Sequence, residues 1–151
     1  MIALLQRVSE ASVRVEGETI AAIGAGLAVF LCVERGDDEA QAKRMIERLL
    51  GYRVFADGEG RLNRSLAETG GGLLLVPQFT LAADTRKGTR PSLGRAAPPA
   101  LAERLFEFAE ARARSLHPTV AVGRFGAHMQ VALVNDGPVT FLLETREGAL
   151  H

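Results

Sequence analysis

The stretch Leu27-Ala28-Val29-Phe30-Leu31-Cys32-Val33 is apolar throughout, with Gly24 and Gly26 before it and Glu34 after it. A short apolar run bounded by glycine and charge reads as a strand buried on both faces, at the centre of a sheet. It does not read as a membrane span, because the uncharged stretch from Ile20 to Val33 carries both glycines and falls short of the ~20 apolar residues needed.

Upstream, Ile2, Leu4, Val8, Val13 and Val15 read as strands, with Ser9-Glu10-Ala11 as a turn or bulge between them and Glu16-Gly17-Glu18 as a tight hairpin turn. Downstream, Asp37 or Asp38 can cap a helix whose apolar positions Ala42, Met45, Ile46, Leu49 and Leu50 recur at helical spacing before Gly51. Arg53 to Ala56 reads as a short strand, Asp57-Gly58-Glu59-Gly60 as a turn, and Gly70-Gly71-Gly72 as the approach to a strand Leu73-Leu74-Leu75-Val76. Ala82 to Pro99 has no periodicity and reads as a long loop, a feature that is often functional in a compact domain. Pro98-Pro99 opens a second helix with Leu101, Leu105, Phe108, Ala109 and Leu116 on its apolar face, stopping near His117 because Pro118 follows. Three strands complete the chain: Thr119 to Val122, Met129 to Val134 and Val139 to Glu144, the last two joined by Asn135-Asp136-Gly137-Pro138. The expectation is an α/β single domain over residues 1–151, with mixed β-sheets in layers and two main helices.

Composition supports that size of core. The chain has 151 residues, 47% of them hydrophobic, and a chain of this length buries roughly 70% of its unfolded surface without disulfides or metals. The single cysteine, Cys32, lies in the central apolar run, so no intrachain disulfide forms and a buried, reduced thiol in a cytoplasmic protein is expected. Gln6, Arg7 and Glu10 interrupt the apolar start, so no export signal is read. Eighteen basic residues balance eighteen acidic ones, which excludes a protein that coats nucleic acid or anionic membrane by bulk charge.

The common catalytic signatures are missing: there is no GxSxG elbow, no HExxH and no phosphate-binding loop. His117, His128 and His151 stand far apart, and with one cysteine the supply of metal ligands is poor, so neither metal nor cofactor is expected. His117 reads as a helix end and His151 as part of a tail. Two segments remain. Pro77-Gln78-Phe79-Thr80-Leu81 leaves an apolar strand, where free backbone N–H groups can bind a carbonyl oxygen and the Thr80 hydroxyl can orient or attack one. On its own chemistry it reads as an ordinary strand exit with Phe79 in the core. Asn135-Asp136-Gly137-Pro138 has turn chemistry and reads as a hairpin loop that could present two carbonyl oxygens at its tip. A cis bond before Pro138 has a base rate of only about 5–6%.

Taken together, Pro77-Gln78-Phe79-Thr80-Leu81 and Asn135-Asp136-Gly137-Pro138-Val139-Thr140 resemble the paired signature of the D-aminoacyl-tRNA deacylases. The likeness continues through Gln6-Arg7-Val8, Leu50-Gly51-Tyr52-Arg53-Val54-Phe55, Asn63-Arg64-Ser65-Leu66, Lys87-Gly88 and Gly123-Arg124-Phe125-Gly126-Ala127, in order and over nearly the whole chain.

That resemblance implies a homodimeric esterase, without cofactor, that frees D-amino acids from tRNA, and also glycine mischarged on tRNA-Ala. It implies that Gly137 and Pro138, joined by a cis bond, enter the partner subunit's site, hold the substrate α-amino group and leave no room for an L side chain, with Asn135 and Thr140 beside them. It maps Gln78, Phe79 and Thr80 onto the pocket for the 3′-terminal adenosine and the ester carbonyl. Thr80 is a catalytic candidate, but the family depends more on backbone contacts and the RNA 2′-hydroxyl than on a protein nucleophile. Two departures stand out. Pro77 occupies a position commonly held by Ser, which removes a hydroxyl and a backbone donor. His128 stands where an acidic residue is expected and reads as surface variation.

Between Asp84 and Arg95 the loop carries Arg86, Lys87, Arg90 and Arg95 against a single acid, a local excess of three positive charges suited to an RNA backbone. Pro77 leaves open a catalytically inert module that binds a tRNA 3′ end. A general small-ester hydrolase is a third reading.

Overall fold

The computed structural model describes residues 1–146; His151 and the tail assigned to it lie outside the described residues. Strand β1, Ile2–Val15, turns through Glu16 and Gly17 into β2, Glu18–Ile23. Glu16 and Gly17 both have positive φ, 50° and 80°, the backbone that a two-residue hairpin needs to match strand twist. The decisive apolar run becomes β3, Gly26–Cys32. It lies between β1, antiparallel to it, and β6, Gly72–Pro77, parallel to it, so it occupies the centre of the sheet order β2-β1-β3-β6-β7, with β7 spanning Val120–Val122.

Side-chain alternation divides the core into two layers. Leu27, Val29, Leu31, Leu73 and Leu75 face the helices, while Ala28, Leu74 and Val76 pack with Val8, Val13 and Ile23 on the other side. Helix α1, Glu39–Gly51, starts at Asp38, whose carboxylate accepts from the Ala40 and Gln41 amides while the Gln41 side chain returns to the Asp38 N–H. All of its expected apolar positions are buried. Helix α3, Pro99–Leu116, starts at the proline pair but turns its face from the expected one. It buries Ala102, Leu105, Phe106, Ala109 and Ala113, with Leu101 and Phe108 only half-buried and Leu116 exposed. Small residues at 102, 109 and 113 let it lie close to the sheet and α1. At its end His117 bonds the Gly71 carbonyl, 2.6 Å, which leaves Leu116 directed outward.

Three local expectations change. Ser9-Glu10-Ala11 does not divide two strands, because β1 is continuous and the irregularity is a register shift in its ladder with β8, Gln130–Glu144. Arg53 to Ala56 narrows to β4, Phe55–Ala56, paired with β5, Leu62–Arg64, and a one-turn helix α2, Leu66–Thr69, follows. Its signal was in the sequence, since Ser65 and Glu68 form a reciprocal capping box and Gly70 closes the turn at φ 74°. Most consequential, Asn135-Asp136-Gly137-Pro138 is no hairpin. The two expected strands are one, β8, which runs antiparallel to β1 along its length because β1 is long enough to pair both halves.

Glycine permits the closest backbone approach in the sheet. A Cβ on Gly26 would lie 1.9 Å from the Gly72 carbonyl oxygen, whereas one on Gly58 would meet nothing within 4 Å. Gly26→Ala should therefore destabilise the fold by about 3 kcal/mol or more and Gly58→Ala by under ~1 kcal/mol, read from urea unfolding midpoints. Equal midpoints for the two variants would contradict this account of the β3–β6 contact.

Candidate active site

Strand β6 ends on Pro77, and the chain passes through Gln78 into a single 3-10 turn, Phe79–Ala82. The Gln78 amide donates to the Leu31 carbonyl, 2.9 Å, extending the parallel ladder past the proline. On the other edge of β6, the Leu73 amide donates to Thr119 and the Leu75 carbonyl accepts from Gly123. Position 77 faces that same edge at the last residue of β6, where proline brings no N–H to the ladder. The first hydrogen bond of the 3-10 turn runs from Leu81 to Gln78. The amides of Phe79 and Thr80 lie ahead of it, at the turn's electropositive start.

Phe79 is 57% exposed, which overturns its expected place in the core. The parallel pairing delivers the chain to the sheet's end, where the ring flanks a cleft of about 510 Å³. One wall is the strand exit, another comes from α3 through Ala102 and Phe106, and a third is the loop carrying Phe125 and His128. His128 is exposed, in keeping with its reading as a surface position, and it also lines the cleft. Thr80 is not among the lining residues; its hydroxyl accepts from the Gln78 side-chain amide, 2.5 Å. An amide is no base, so this arrangement does not activate Thr80 as a nucleophile.

Cys32 anchors the turn from below. Its buried thiol donates to the Phe79 carbonyl, 3.4 Å, and burial pushes its pKa up to about 11. The thiol therefore acts as a neutral donor, a role that its apolar sequence context did not reveal.

The long loop is pinned to the exit of β3. Ala97 donates to the Val33 carbonyl, Arg35 to that of Arg95, and the Arg95 guanidinium meets Glu34 at 2.5 Å, which brings Ala96 and Ala97 to the cleft wall. Burial alone would raise the Glu34 pKa, but hydrogen bonds from the Met1 ammonium and from Arg95 outweigh it and hold the carboxyl below its usual range. At the tip, Asp84 and Ser92 exchange backbone bonds, and Arg86 grips Asp84 through two side-chain contacts of 2.9 and 2.6 Å. The excess of three positive charges is thus smaller in space than in sequence. Arg86 and Arg95 are paired, while Lys87 and Arg90 are exposed and without an ion pair among the described residues.

The second segment lies elsewhere. The Gly137–Pro138 peptide bond is cis. The β1–β8 register passes from Gln6 opposite Thr140 to Val8 opposite Asn135, so Asp136 through Val139 bulge out against Arg7 alone. Arg7, unassigned a role in the sequence, holds the bulge: its Nε donates to the Asp136 carbonyl, 2.9 Å, and its Nη1 to that of Val54, 2.8 Å. The Asn135 amide donates to the carbonyls of Arg7 and Val139, and the Thr140 hydroxyl accepts from Gln6. These side chains serve the backbone of the bulge and leave Gly137 and Pro138 exposed.

The structure brings Gln78, Phe79 and Thr80 together, and likewise Asn135, Gly137, Pro138 and Thr140, but it does not join the two groups. Arg7 pairs with Leu27 at one end of β3, whereas Leu31 and Cys32 adjoin the cleft at the other end. Five residues at about 3.3 Å each separate the segments by roughly 16 Å along the strand. No residue from 135 to 140 lines the cleft.

The family model described as D-Tyr-tRNA(Tyr) deacylase matches residues 4–144. The chain is 65% identical over 144 residues, 95% of its length and 97% of the relative's, to a D-aminoacyl-tRNA deacylase of Thioalkalivibrio sulfidiphilus. It is 64% identical, over 95% of its length and 99% of the relative's, to one of Azotobacter vinelandii. Among solved structures, it matches a c-Myc DNA unwinding element binding protein at TM-score 0.92 and 38% identity, covering 97% of this chain and 99% of that one. A probable eukaryotic D-amino acid tRNA deacylase shares the fold at TM-score 0.81 and 17% identity, covering 94% and 97%.

The raised Cys32 pKa makes a direct prediction. With an ordinary value of 9.0 and a folded value of about 11, native protein at pH 8 should hold about a hundredfold less thiolate than unfolded protein and alkylate with iodoacetamide at least that much more slowly. Alkylation at the same rate in buffer and in denaturant would contradict the anchoring of the turn.

Proposed function

The chain belongs to the D-Tyr-tRNA(Tyr) deacylase family, and from that premise we propose how it hydrolyses the ester bond of D-aminoacyl-tRNA and spares the L form. The 3′-terminal adenosine of the tRNA enters the cleft, whose volume of about 510 Å³ and apolar lining by Phe79, Phe106 and Phe125 suit a nucleoside. The amides of Phe79 and Thr80 polarise the ester carbonyl and stabilise the oxyanion that forms on it. The substrate 2′-hydroxyl orients the attacking water. Thr80 has an amide for its partner and Cys32 keeps its proton, so catalysis rests on backbone donors and on the RNA itself.

One observation carries the stereochemical half of the reading: Gly137 and Pro138 are held outward by Arg7 and Asn135, roughly 16 Å along the sheet from their own cleft. A motif so placed can complete only the site of another copy. Val134, Phe141 and Leu142 expose apolar surface on β8, which supports a homodimer that brings the two together. There the carbonyl oxygens of Gly137 and Pro138 accept from the substrate α-ammonium, and their backbone occupies the space an L side chain would need. Glycine has no side chain to exclude, so glycine mischarged on tRNA-Ala is a second substrate of the same site.

The exposed charges of Lys87 and Arg90 contact the tRNA backbone near the cleft. No described helix is long and apolar enough to cross a membrane, and we place the enzyme with its tRNA substrate in the cytoplasm. The inert end-binding reading rested on Pro77, the last residue of β6, after which the Gln78 amide resumes the ladder with Leu31.

Deacylation of matched D- and L-tyrosyl-tRNA tests this reading. D-Tyr-tRNA should be hydrolysed and L-Tyr-tRNA left intact. Equal hydrolysis of both would sink the stereochemical mechanism, and hydrolysis of neither would restore the end-binding module. Replacing Lys87 and Arg90 together by Ala should weaken tRNA binding and lower the slope of log affinity against log salt by about 1.5, from two phosphate contacts. An unchanged slope would remove these residues from the RNA interface.

A further inference from the structure

Two polar side chains line the cleft, and they stand on different walls. Gln78 belongs to the strand exit, beside the amides assigned to the ester carbonyl. His128 belongs to the loop that follows β7, is exposed to solvent, and is the one ionisable side chain among the lining residues. The rest of the lining is apolar and includes Val76, Ala97, Phe106 and Phe125. A nucleoside ester is polar at two ends of its ribose: the acylated oxygen at C3′ and the phosphate on the 5′ oxygen. With Gln78 at the ester end, His128 is left to meet the phosphate end.

We infer that His128 binds the phosphate on the 5′ oxygen of the terminal nucleoside, an inference that rests on the deacylase reading of the cleft. An imidazole N–H donates to a phosphate oxygen whether the ring is neutral or protonated. No carboxylate lines the cleft to compete for it. The loop also holds this wall firmly: the Ala127 amide donates to the Arg124 carbonyl, and a Cβ on Gly123 would lie 2.8 Å from the Met129 sulfur.

The test uses a stable analogue, adenosine carrying a D-tyrosyl group in amide linkage at C3′, with and without a 5′-phosphate. Affinities are measured by calorimetry on the full chain and on His128→Ala and His128→Asp. The readout is the ratio of the two affinities, which cancels any change common to both ligands. In the unaltered chain the phosphate should strengthen binding about tenfold. His128→Ala should bring that ratio close to one, and His128→Asp should invert it. A tenfold ratio that survives in His128→Ala would overturn the phosphate contact while leaving the deacylase reading in place. Failure of the unaltered chain to bind either analogue would overturn both.

Discussion

The hydrogen-bonded register of β1 governs the rest, because this strand pairs with β3 on one side and with β8 on the other. The pairing with β3 ties one end of β1 to the cleft, where the Cys32 thiol reaches the 3-10 turn. The pairing with β8 ties the other end to the Gly137–Pro138 bulge, and strand rise then keeps the two functional segments roughly 16 Å apart. Neither segment can slide toward the other without breaking a ladder of backbone bonds, and a one-residue slip would turn buried side chains outward. In the proposed reading, a second copy closes this separation.

In the proposed mechanism the functional groups of each segment are backbone atoms, and side chains hold them in place. Cys32 fixes the Phe79 carbonyl, the Gln78 side chain holds the Thr80 hydroxyl, and Arg7 and Asn135 fix three carbonyls around the bulge. Such a site suits an ester whose own ribose supplies a hydroxyl.

Much of the fold was legible in the residues themselves. The apolar run from Leu27 to Val33, the capped stripe after Asp38 and the proline pair before α3 each state a local preference that tertiary structure keeps. What was not legible depended on distant partners. Asn135-Asp136-Gly137-Pro138 has the composition of a turn, and only the length of β1 makes it a bulge in a continuous strand. Phe79 is apolar and would be buried by composition, but the end of β6 places it on the cleft. The basic loop carries a clear charge excess in sequence, while Glu34, about sixty residues upstream of Arg95, neutralises part of it. The site motifs were visible through their family likeness; the roles of Arg7, Cys32 and His128 required geometry. A net charge of zero remains compatible with an RNA substrate, since only a small part of the surface has to meet it.

Completion of each site by the partner subunit is the central claim, and a mixed dimer tests it most directly. Phe79→Ala damages the cleft. Gly137→Ala damages the bulge, where an added Cβ would lie 2.3 Å from the Val139 nitrogen. Each variant alone should be inactive on D-Tyr-tRNA. Co-expressed and purified as a mixed dimer, they should regain activity, because one of the two sites then combines an intact cleft with an intact bulge. A mixed dimer as inactive as its parents would mean that each site is built within a single chain, contradicting the account.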